Sequence, residues 1–177
     1  MSNKKLIGTI IGVIAFAALI SGATFAWLIY AVNVTGGTYN GASTNFVVNY
    51  TKGTDISDVP ILTSPTVSTA RSLVVSANKT STSVDGMLSI KLTTTSSDIL
   101  TTSGAIKYKV CQGRCALTSN VGTVTASGTV EIFSGALQSS ATSYYVYFWI
   151  DAETFSNDHV GKTYSGYISA EAQQTQS

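Results

Sequence analysis

The stretch Gly86-Met-Leu-Ser-Ile-Lys-Leu-Thr-Thr94 alternates between apolar and polar side chains along nearly its whole length. In an extended chain, Leu88, Ile90 and Leu92 fall on one face and the polar residues between them fall on the other. A period of two residues with a single apolar face indicates a half-buried β-strand. This stretch therefore predicts an antiparallel sheet that packs one face on a core and leaves the other in solvent.

Strand patterns recur on both sides of it. Ala105-Ile-Lys-Tyr-Lys-Val-Cys111 alternates in the same way, which predicts Lys107 and Lys109 on the solvent face. Ser143-Tyr-Tyr-Val-Tyr-Phe-Trp-Ile150 is apolar or aromatic at nearly every position, which predicts either a strand covered on both faces or one whose second face makes contacts. The remaining candidates are Asn45–Tyr50, Val59–Leu62, Ser72–Ala77, Thr123–Phe133 and Tyr164–Ala172, with Gly128 as a bulge or as a turn that splits its segment.

These segments make eight or nine strands with short connections and no strong amphipathic helix. The expected fold is all-β, an antiparallel two-sheet β-sandwich of the jelly-roll type over residues 45–177. The composition agrees, because only 11% of the residues are charged and Ser, Thr and Gly are abundant. The formal net charge of +1 becomes about −1 without Lys4 and Lys5, so we expect no nucleic-acid partner.

The N-terminal segment has a different texture. No charged residue lies between Lys5 and Lys52, and residues 6–32 are apolar almost throughout. A basic start, an apolar run and small residues before Ala23 and Ala26 are typical of a signal peptide cut after one of those two residues. Uncut, the same run exceeds the ~20 residues needed to span a bilayer. Residues 1–26 are thus a signal peptide or a membrane anchor that precedes an extracytoplasmic chain.

From Trp27 the sequence becomes aromatic and β-branched, which is strand composition. Residues 27–44 are therefore predicted to form an N-terminal strand and a flexible Gly/Ser/Thr connector. The strand residues expected to carry self-assembly are Trp27, Leu28, Ile29, Tyr30, Val32 and Val34.

Little in the chain supports catalysis. His159 is the single histidine, so no His-Glu-x-x-His zinc site can form, and we interpret it as an exposed loop residue. One loop gathers oxygen ligands from Asp151, Glu153, Asn157 and Asp158, where a weak calcium site is the alternative to a solvated hairpin. We therefore expect no catalytic, metal or cofactor residues and a protein that is not an enzyme.

Two smaller features concern covalent chemistry. Cys111 and Cys115 form a close pair, for which a disulfide is favoured over free thiols or a metal site. Asn33-Val-Thr, Asn49-Tyr-Thr and Asn78-Lys-Thr are N-glycosylation sequons, which have meaning only in a host that glycosylates exported chains.

Gly22-Ala-Thr-Phe-Ala26, the aromatic strand that follows it, and Phe46-Val-Val-Asn-Tyr50 together resemble the TasA/camelysin family of exported proteins. The C-terminal Gly161–Thr175, and Phe148-Trp-Ile-Asp151 before it, are similar to that family's closing strands. The resemblance implies a jelly-roll domain at the cell surface that polymerises into biofilm-matrix fibres. In the fibre-forming members, the N-terminal strand of one subunit completes the sheet of the next.

The predicted function is a structural subunit of an extracellular, cell-surface filament that assembles by donating residues 27–34 to a neighbouring subunit. The expected partners are further copies of the chain, signal peptidase, and the membrane until the N-terminal segment is processed. The alternative is a membrane-anchored surface module for binding or adhesion, or a pilin-like subunit, that retains its N-terminal helix.

Overall fold

The computed structural model describes residues 30–32, 40–42, 45–51, 54–95, 103–124 and 127–175. These residues form twelve β-strands and one short 3₁₀ turn, Asn157–His159. The strands are β1 (Tyr30–Val32), β2 (Asn40–Ala42), β3 (Phe46–Tyr50), β4 (Asp55–Ile56), β5 (Ile61–Leu62), β6 (Arg71–Lys79), β7 (Gly86–Thr94), β8 (Ile106–Gln112), β9 (Gly122–Thr123), β10 (Gly128–Ala136), β11 (Thr142–Asp151) and β12 (Gly166–Gln174).

The strands form two sheets, in which every pairing except one is antiparallel. The first sheet has the order β1-β12-β7-β10, with β4 also paired to β12. The second has the order β2-β3-β6-β11-β8-β9, with the short β5 running parallel to the end of β11. The all-β, two-sheet expectation is therefore confirmed.

Alternating residues of the two sheets meet in one core, as in a β-sandwich. Leu88, Ile90 and Leu92 of β7 are 0–3% exposed, as their alternation predicted. The opposite sheet contributes core residues from β3, β6, β8 and β11, the largest fully buried of which are Tyr50, Tyr144 and Phe148.

Strand β11 is covered on both faces, which decides between the two predicted readings. Its inward residues Val146 and Phe148 lie in the main core, whereas Tyr147 and Trp149 lie on the opposite face and are only 5% and 3% exposed. A second apolar cluster covers that outer face; its members are Ala70, Cys111, Leu117, Tyr147 and Trp149, with Leu62, Cys115 and Tyr145 partly buried beside them. The aromatic face of β11 is therefore mostly occupied from within the chain.

The loop after β8 supplies much of this cover. Cys111 and Cys115 are at disulfide distance, their Cα atoms 5.8 Å apart, which lies within the range of protein disulfides. Leu117, two residues further on, is 2% exposed against the cluster. The ammonium group of Lys109 donates a hydrogen bond to the carbonyl oxygen of Ser119 and so fastens the far end of the loop. Lys107 and Lys109 lie on the outer face of β8, as predicted, while Tyr108 and Val110 pack on the core.

Gly128 is the first residue of β10 and has φ of +90°, a conformation that glycine adopts readily. The predicted Thr123–Phe133 segment is split, because β9 ends at Thr123 in the second sheet and β10 begins at Gly128 in the first. The β-bulge lies further on, between Glu131 and Phe133.

Replacing Cys111 and Cys115 together with Ser should loosen the cover over Trp149. Because the disulfide closes a ring of about five residues, its loss should lower the free energy of unfolding by about 2 kcal/mol. In a Trp27→Phe background, emission from Trp149 should shift to longer wavelength and be quenched more readily by acrylamide. Arg114→Ala, an exposed change inside the same ring, should leave both readings unchanged; a double mutant that behaves like it would contradict this role of the disulfide.

Candidate self-assembly edge

The two edges of β12 are paired very differently. Along one edge, all nine residues from Gly166 to Gln174 pair with β7. Along the outer edge, β4 pairs with Gly166 and Tyr167, and β1 pairs with Ala170, Glu171 and Ala172. The outer neighbour of β12 is thus made of two short strands that come from separate parts of the chain.

The two short strands lie end to end and run in the same direction, antiparallel to β12. Beyond the paired residues of β4, the carbonyl oxygen of Thr54 accepts the backbone N–H of Ile168 at 2.9 Å. The register of β1 then begins at Ala170, which pairs with Val32, and continues to Ala172, which pairs with Tyr30. Between them in the sequence lie β2 and β3, which belong to the second sheet.

A side chain occupies the junction between these two strands. The Tyr50 hydroxyl accepts the backbone N–H of Ala170 at an N···O distance of 2.6 Å. Tyr50 is the last residue of β3, in the opposite sheet, and is 1% exposed. Its ring therefore crosses the core and presents an oxygen to the edge of β12 where the backbone of the outer strand is interrupted.

Burial controls the acid–base behaviour of this tyrosine. Desolvation raises the pKa of Tyr50, the hydrogen bond with Ala170 lowers it, and the negative charge of Glu171 raises it again. The net shift is upward from the ordinary tyrosine value of 10.0. The folded protein therefore holds the phenol in its neutral form, in which the hydroxyl keeps its own proton while it accepts from Ala170.

The opposite edge of the first sheet is built differently. β10 pairs only with β7 among the described strands, so its far edge is open. The edge carries the charged Glu131 and is interrupted by the bulge at that residue. Charges and bulges are common means by which natural sheets prevent pairing with another chain. β12 shows no bulge in its pairing with β7 over nine residues, and on its outer side it is covered only by short segments.

His159 is not the exposed loop residue that we expected, since only 5% of its surface is accessible. The backbone N–H of Ser156 donates to its Nδ1 at 2.8 Å, and its Nε2 lies 2.8 Å from the Ser103 hydroxyl oxygen. Phe155 stacks on the imidazole, with 5.4 Å between the ring centroids. The histidine thus joins the 152–165 connection to the turn before β8, a contact across 56 residues that local sequence could not indicate.

The acidic loop after β11 is organised by its own hydrogen bonds. One carboxylate oxygen of Asp151 accepts the Glu153 N–H at 3.3 Å, and the other accepts the Thr154 hydroxyl at 2.9 Å. Within the described ranges, no three His, Cys, Asp or Glu residues gather at a spacing suited to a metal ion. The local geometry is that of a turn closed by its first residue.

Of the predicted assembly residues, the structure brings Tyr30 and Val32 to the edge of β12. Trp27, Leu28, Ile29 and Val34 lie outside the described residues, as do the predicted cleavage positions Ala23 and Ala26. In the part of the chain that is described, no helix is long and apolar enough to cross a membrane. The sequence had placed Tyr50 in a strand, but its role at the edge was missed because its partner lies 120 residues away.

No family model, curated protein or solved structure matches the chain.

Tyr50→Phe removes the oxygen that satisfies the Ala170 N–H and leaves that donor buried. A buried unsatisfied backbone group costs about 1–3 kcal/mol, so the free energy of unfolding should fall by that amount in denaturant titrations. Tyr167→Phe removes a hydroxyl from β12 itself, on a partly exposed tyrosine, and serves as the matched control with little expected effect.

The same pair of variants tests the raised pKa. Because Tyr50 binds its proton more tightly in the folded state, its contribution is complete below pH 10 and is lost as the pH rises through the folded-state pKa. Tyr108, Tyr144 and Tyr164 have pKa values raised by burial and act in the same direction. Stability measured between pH 8 and 12 should thus fall above about pH 10, and less steeply in Tyr50→Phe; equal slopes in the two proteins would count against this assignment.

Proposed function

We propose that this chain is a structural subunit of an extracellular filament, in which the strand containing Tyr30–Val32 of one subunit pairs with β12 of the next. The observation that carries the proposal is the divided outer strand of the first sheet. Its β4 half follows β3 directly and is bound to its own domain. Its β1 half comes from the segment ahead of residues 33–39 and is held by three residue pairs.

A jelly-roll fold, the architecture expected from the resemblance to the TasA/camelysin family, is supported by the strand order. β4-β12-β7-β10 face β6-β11-β8-β9. From β6 onward the chain changes sheet at every connection except that between β8 and β9. Eight strands wound into two Greek keys would give this order, and this is what supports the proposed jelly roll. Membership of the family is part of the same proposal.

Exchange of β1 requires no new contact surface. The hydrogen bonds that β1 makes with its own β12 are the ones it would make with the β12 of a neighbour, as in domain swapping. The free-energy difference between the two arrangements then depends on the connector and on subunit concentration. Seven residues, 33–39, join β1 to β2; fully extended they span about 25 Å, which limits the separation of the donor and acceptor domains.

The register also limits which residues can be donated. Val32 pairs with Ala170, so a continued strand would bring position 34 opposite Ile168, whose N–H is already bound by Thr54. In the other direction, no described strand pairs with the outer side of Gln173 or Gln174. We therefore place the donated strand at residues 28–32, extended toward Leu28, and not across the whole predicted stretch Trp27–Val34.

The proposed role is not enzymatic. A backbone N–H can only donate, so in the neutral His159 ring Nδ1 is the acceptor and Nε2 carries the proton. Nε2–H then donates to the Ser103 hydroxyl, and the imidazole has no free nitrogen with which to remove the serine proton. General-base activation of Ser103 would require the opposite arrangement, in which the serine hydroxyl donates to an unprotonated Nε2.

The proposed site of action is the cell surface. The basic start and uncharged run of residues 1–32 favour export through the membrane, with removal by signal peptidase after Ala23 or Ala26. The proposed partners are other copies of the same chain and, before processing, the membrane. The Cys111–Cys115 pair suits an oxidising compartment, where disulfides persist.

Ala31 and Glu171 are directly opposite in the register of β1 and β12. In the double variant Ala31→Cys/Glu171→Cys, the two Cα atoms should therefore lie about 4.5–5.5 Å apart, within disulfide range. If β1 is exchanged, filaments assembled from this variant and oxidised should give a ladder of covalent oligomers on non-reducing gels. If β1 stays on its own domain, a monomer with one additional internal disulfide should form.

Two controls accompany the crosslink. Glu171→Cys alone also removes the 2.6 Å ion pair with Lys91, and should give filaments without a ladder. In Ala31→Cys/Gln173→Cys, the second cysteine lies two residues away from the position opposite residue 31, so this pair should crosslink weakly. A ladder that appears equally in this displaced pair would reject the register, whereas an exclusively monomeric product from intact filaments would reject strand exchange.

A mature chain that lacks residues 27–34 should remain folded and monomeric, because β4 and every core residue described from β3 to β12 are retained. Circular dichroism and sedimentation velocity measure the two properties, with a chain beginning at Trp27 as the control. The native protein should itself begin at Thr24 or Trp27 by intact mass. Filaments of the truncated chain would disprove strand donation, and a native start at Met1 would favour the anchored alternative.

A further inference from the structure

Two of the three sequons fall in described strands, and they occupy equivalent positions. Asn49 is the second-to-last residue of β3, and Asn78 is the second-to-last residue of β6. The hydroxyl residues that complete the sequons, Thr51 and Thr80, are exposed just beyond the strand ends. Each sequon therefore runs from the end of a strand into the turn that follows it.

Both asparagines lie on the outer face of the second sheet. Their neighbours Val48, Tyr50 and Ala77 are buried in the core, and side chains alternate along a strand, so Asn49 and Asn78 point away from it. Both are partly exposed. The Asn78 amide nitrogen makes one long hydrogen bond, 3.3 Å, to the carbonyl oxygen of the adjacent Lys79.

Both asparagines have neighbours on the adjacent strands. Asn49 lies opposite Ser76 of β6 and Asn40 of β2, and Asn78 lies opposite Val47 of β3. The pairing of β6 with β11 ends at Ala77, so no residue of β11 lies opposite Asn78. The bulky Tyr147 and Trp149 lie toward the other end of β11. Both asparagines therefore lie away from the buried aromatic cluster on the same sheet.

The outer face of this sheet is divided into two halves. Over β8 and β11, the loop that contains Cys115 and Leu117 covers the aromatic cluster. Over β3 and β6, no described residue belongs to that cluster; Val74 of β6 is buried there, while the polar side chains of Asn49, Ser76 and Asn78 are partly exposed. Both described sequons lie on this uncovered half.

We infer that Asn49 and Asn78 are N-glycosylation sites, so that the uncovered half of this sheet carries sugar. The donor would be an oligosaccharide linked to a lipid through phosphate, used on the outer side of the membrane. The side-chain amide nitrogen forms a bond to the anomeric carbon of the sugar, the bond from that carbon to the lipid phosphate breaks, and the amide proton is released. The inference depends on export of the chain but not on strand exchange.

A bound oligosaccharide would have a physical consequence for this protein. Only 11% of its residues are charged, and surfaces with little charge associate readily. Hydrated sugar on the face over β3 and β6 would block contacts between faces while leaving the outer edge of β12 free. Subunits could then meet along an edge but not through this face.

The test is glycopeptide mass spectrometry on protein recovered from its native cell surface. Peptides that contain Asn49 and Asn78 should each carry an added oligosaccharide mass. Peptides with the exposed Asn120 and Asn157, which lie outside sequons, should be unmodified. Unmodified Asn49 and Asn78 in the native protein would overturn the inference.

Substitutions of the threonines separate recognition of the sequon from damage to the fold. Thr51→Ala and Thr80→Ala, expressed in the native host, should each remove one oligosaccharide from the intact mass. Thr51→Ser and Thr80→Ser keep the sequon and should retain the modification. Sugar that persists in both alanine variants would show that these sequons do not direct the attachment. Native filaments in which Asn49 and Asn78 carry no sugar would leave the proposed function standing while this inference fails.

Discussion

The organisation of this protein depends on how the outer edge of β12 is satisfied. A strand in the interior of a sheet must pair its N–H and C=O groups on both sides, because unpaired backbone groups that are buried cost free energy. Along one side β7 meets this requirement in an unbroken register. Along the other side three separate parts of the chain share it: Thr54 with β4, the Tyr50 hydroxyl, and β1.

This division gives the edge two parts with different properties. The part covered by β4 is fixed, because β4 follows β3 closely and Tyr50 ties that strand to β12 through the core. The other part is covered by β1, which is linked covalently to the rest of the domain through the connector, residues 33–39. The same tyrosine thus marks the boundary between the β4 half of the outer strand and the β1 half, which we propose is exchanged.

The sequence could predict which face each strand buries, but not which strand lies beside it. The alternation in Gly86–Thr94 and in the last strand was sufficient to predict the buried face of each strand. Leu88 and Ile90, like Ile168 and Ala170, are fully buried. A period of two residues contains no information about neighbours, so the division of the outer strand between β1 and β4 could not be derived. The interpretation of His159 as an exposed residue was wrong for the same reason. Its polar loop suggested exposure, whereas the side chain is buried by contacts with Ser103 and Phe155.

The two edges of the first sheet also determine the kind of polymer that strand exchange would produce. The open edge of β10 carries a bulge and the charge of Glu131. Pairing between two β10 strands is therefore disfavoured. What remains is a contact between the N-terminal strand of one subunit and β12 of another, two different surfaces. Such a head-to-tail contact gives either a ring or an open filament, depending on the rotation between successive subunits. The connector of seven residues restricts that rotation, since the donor domain must stay within about 25 Å of the edge that it completes.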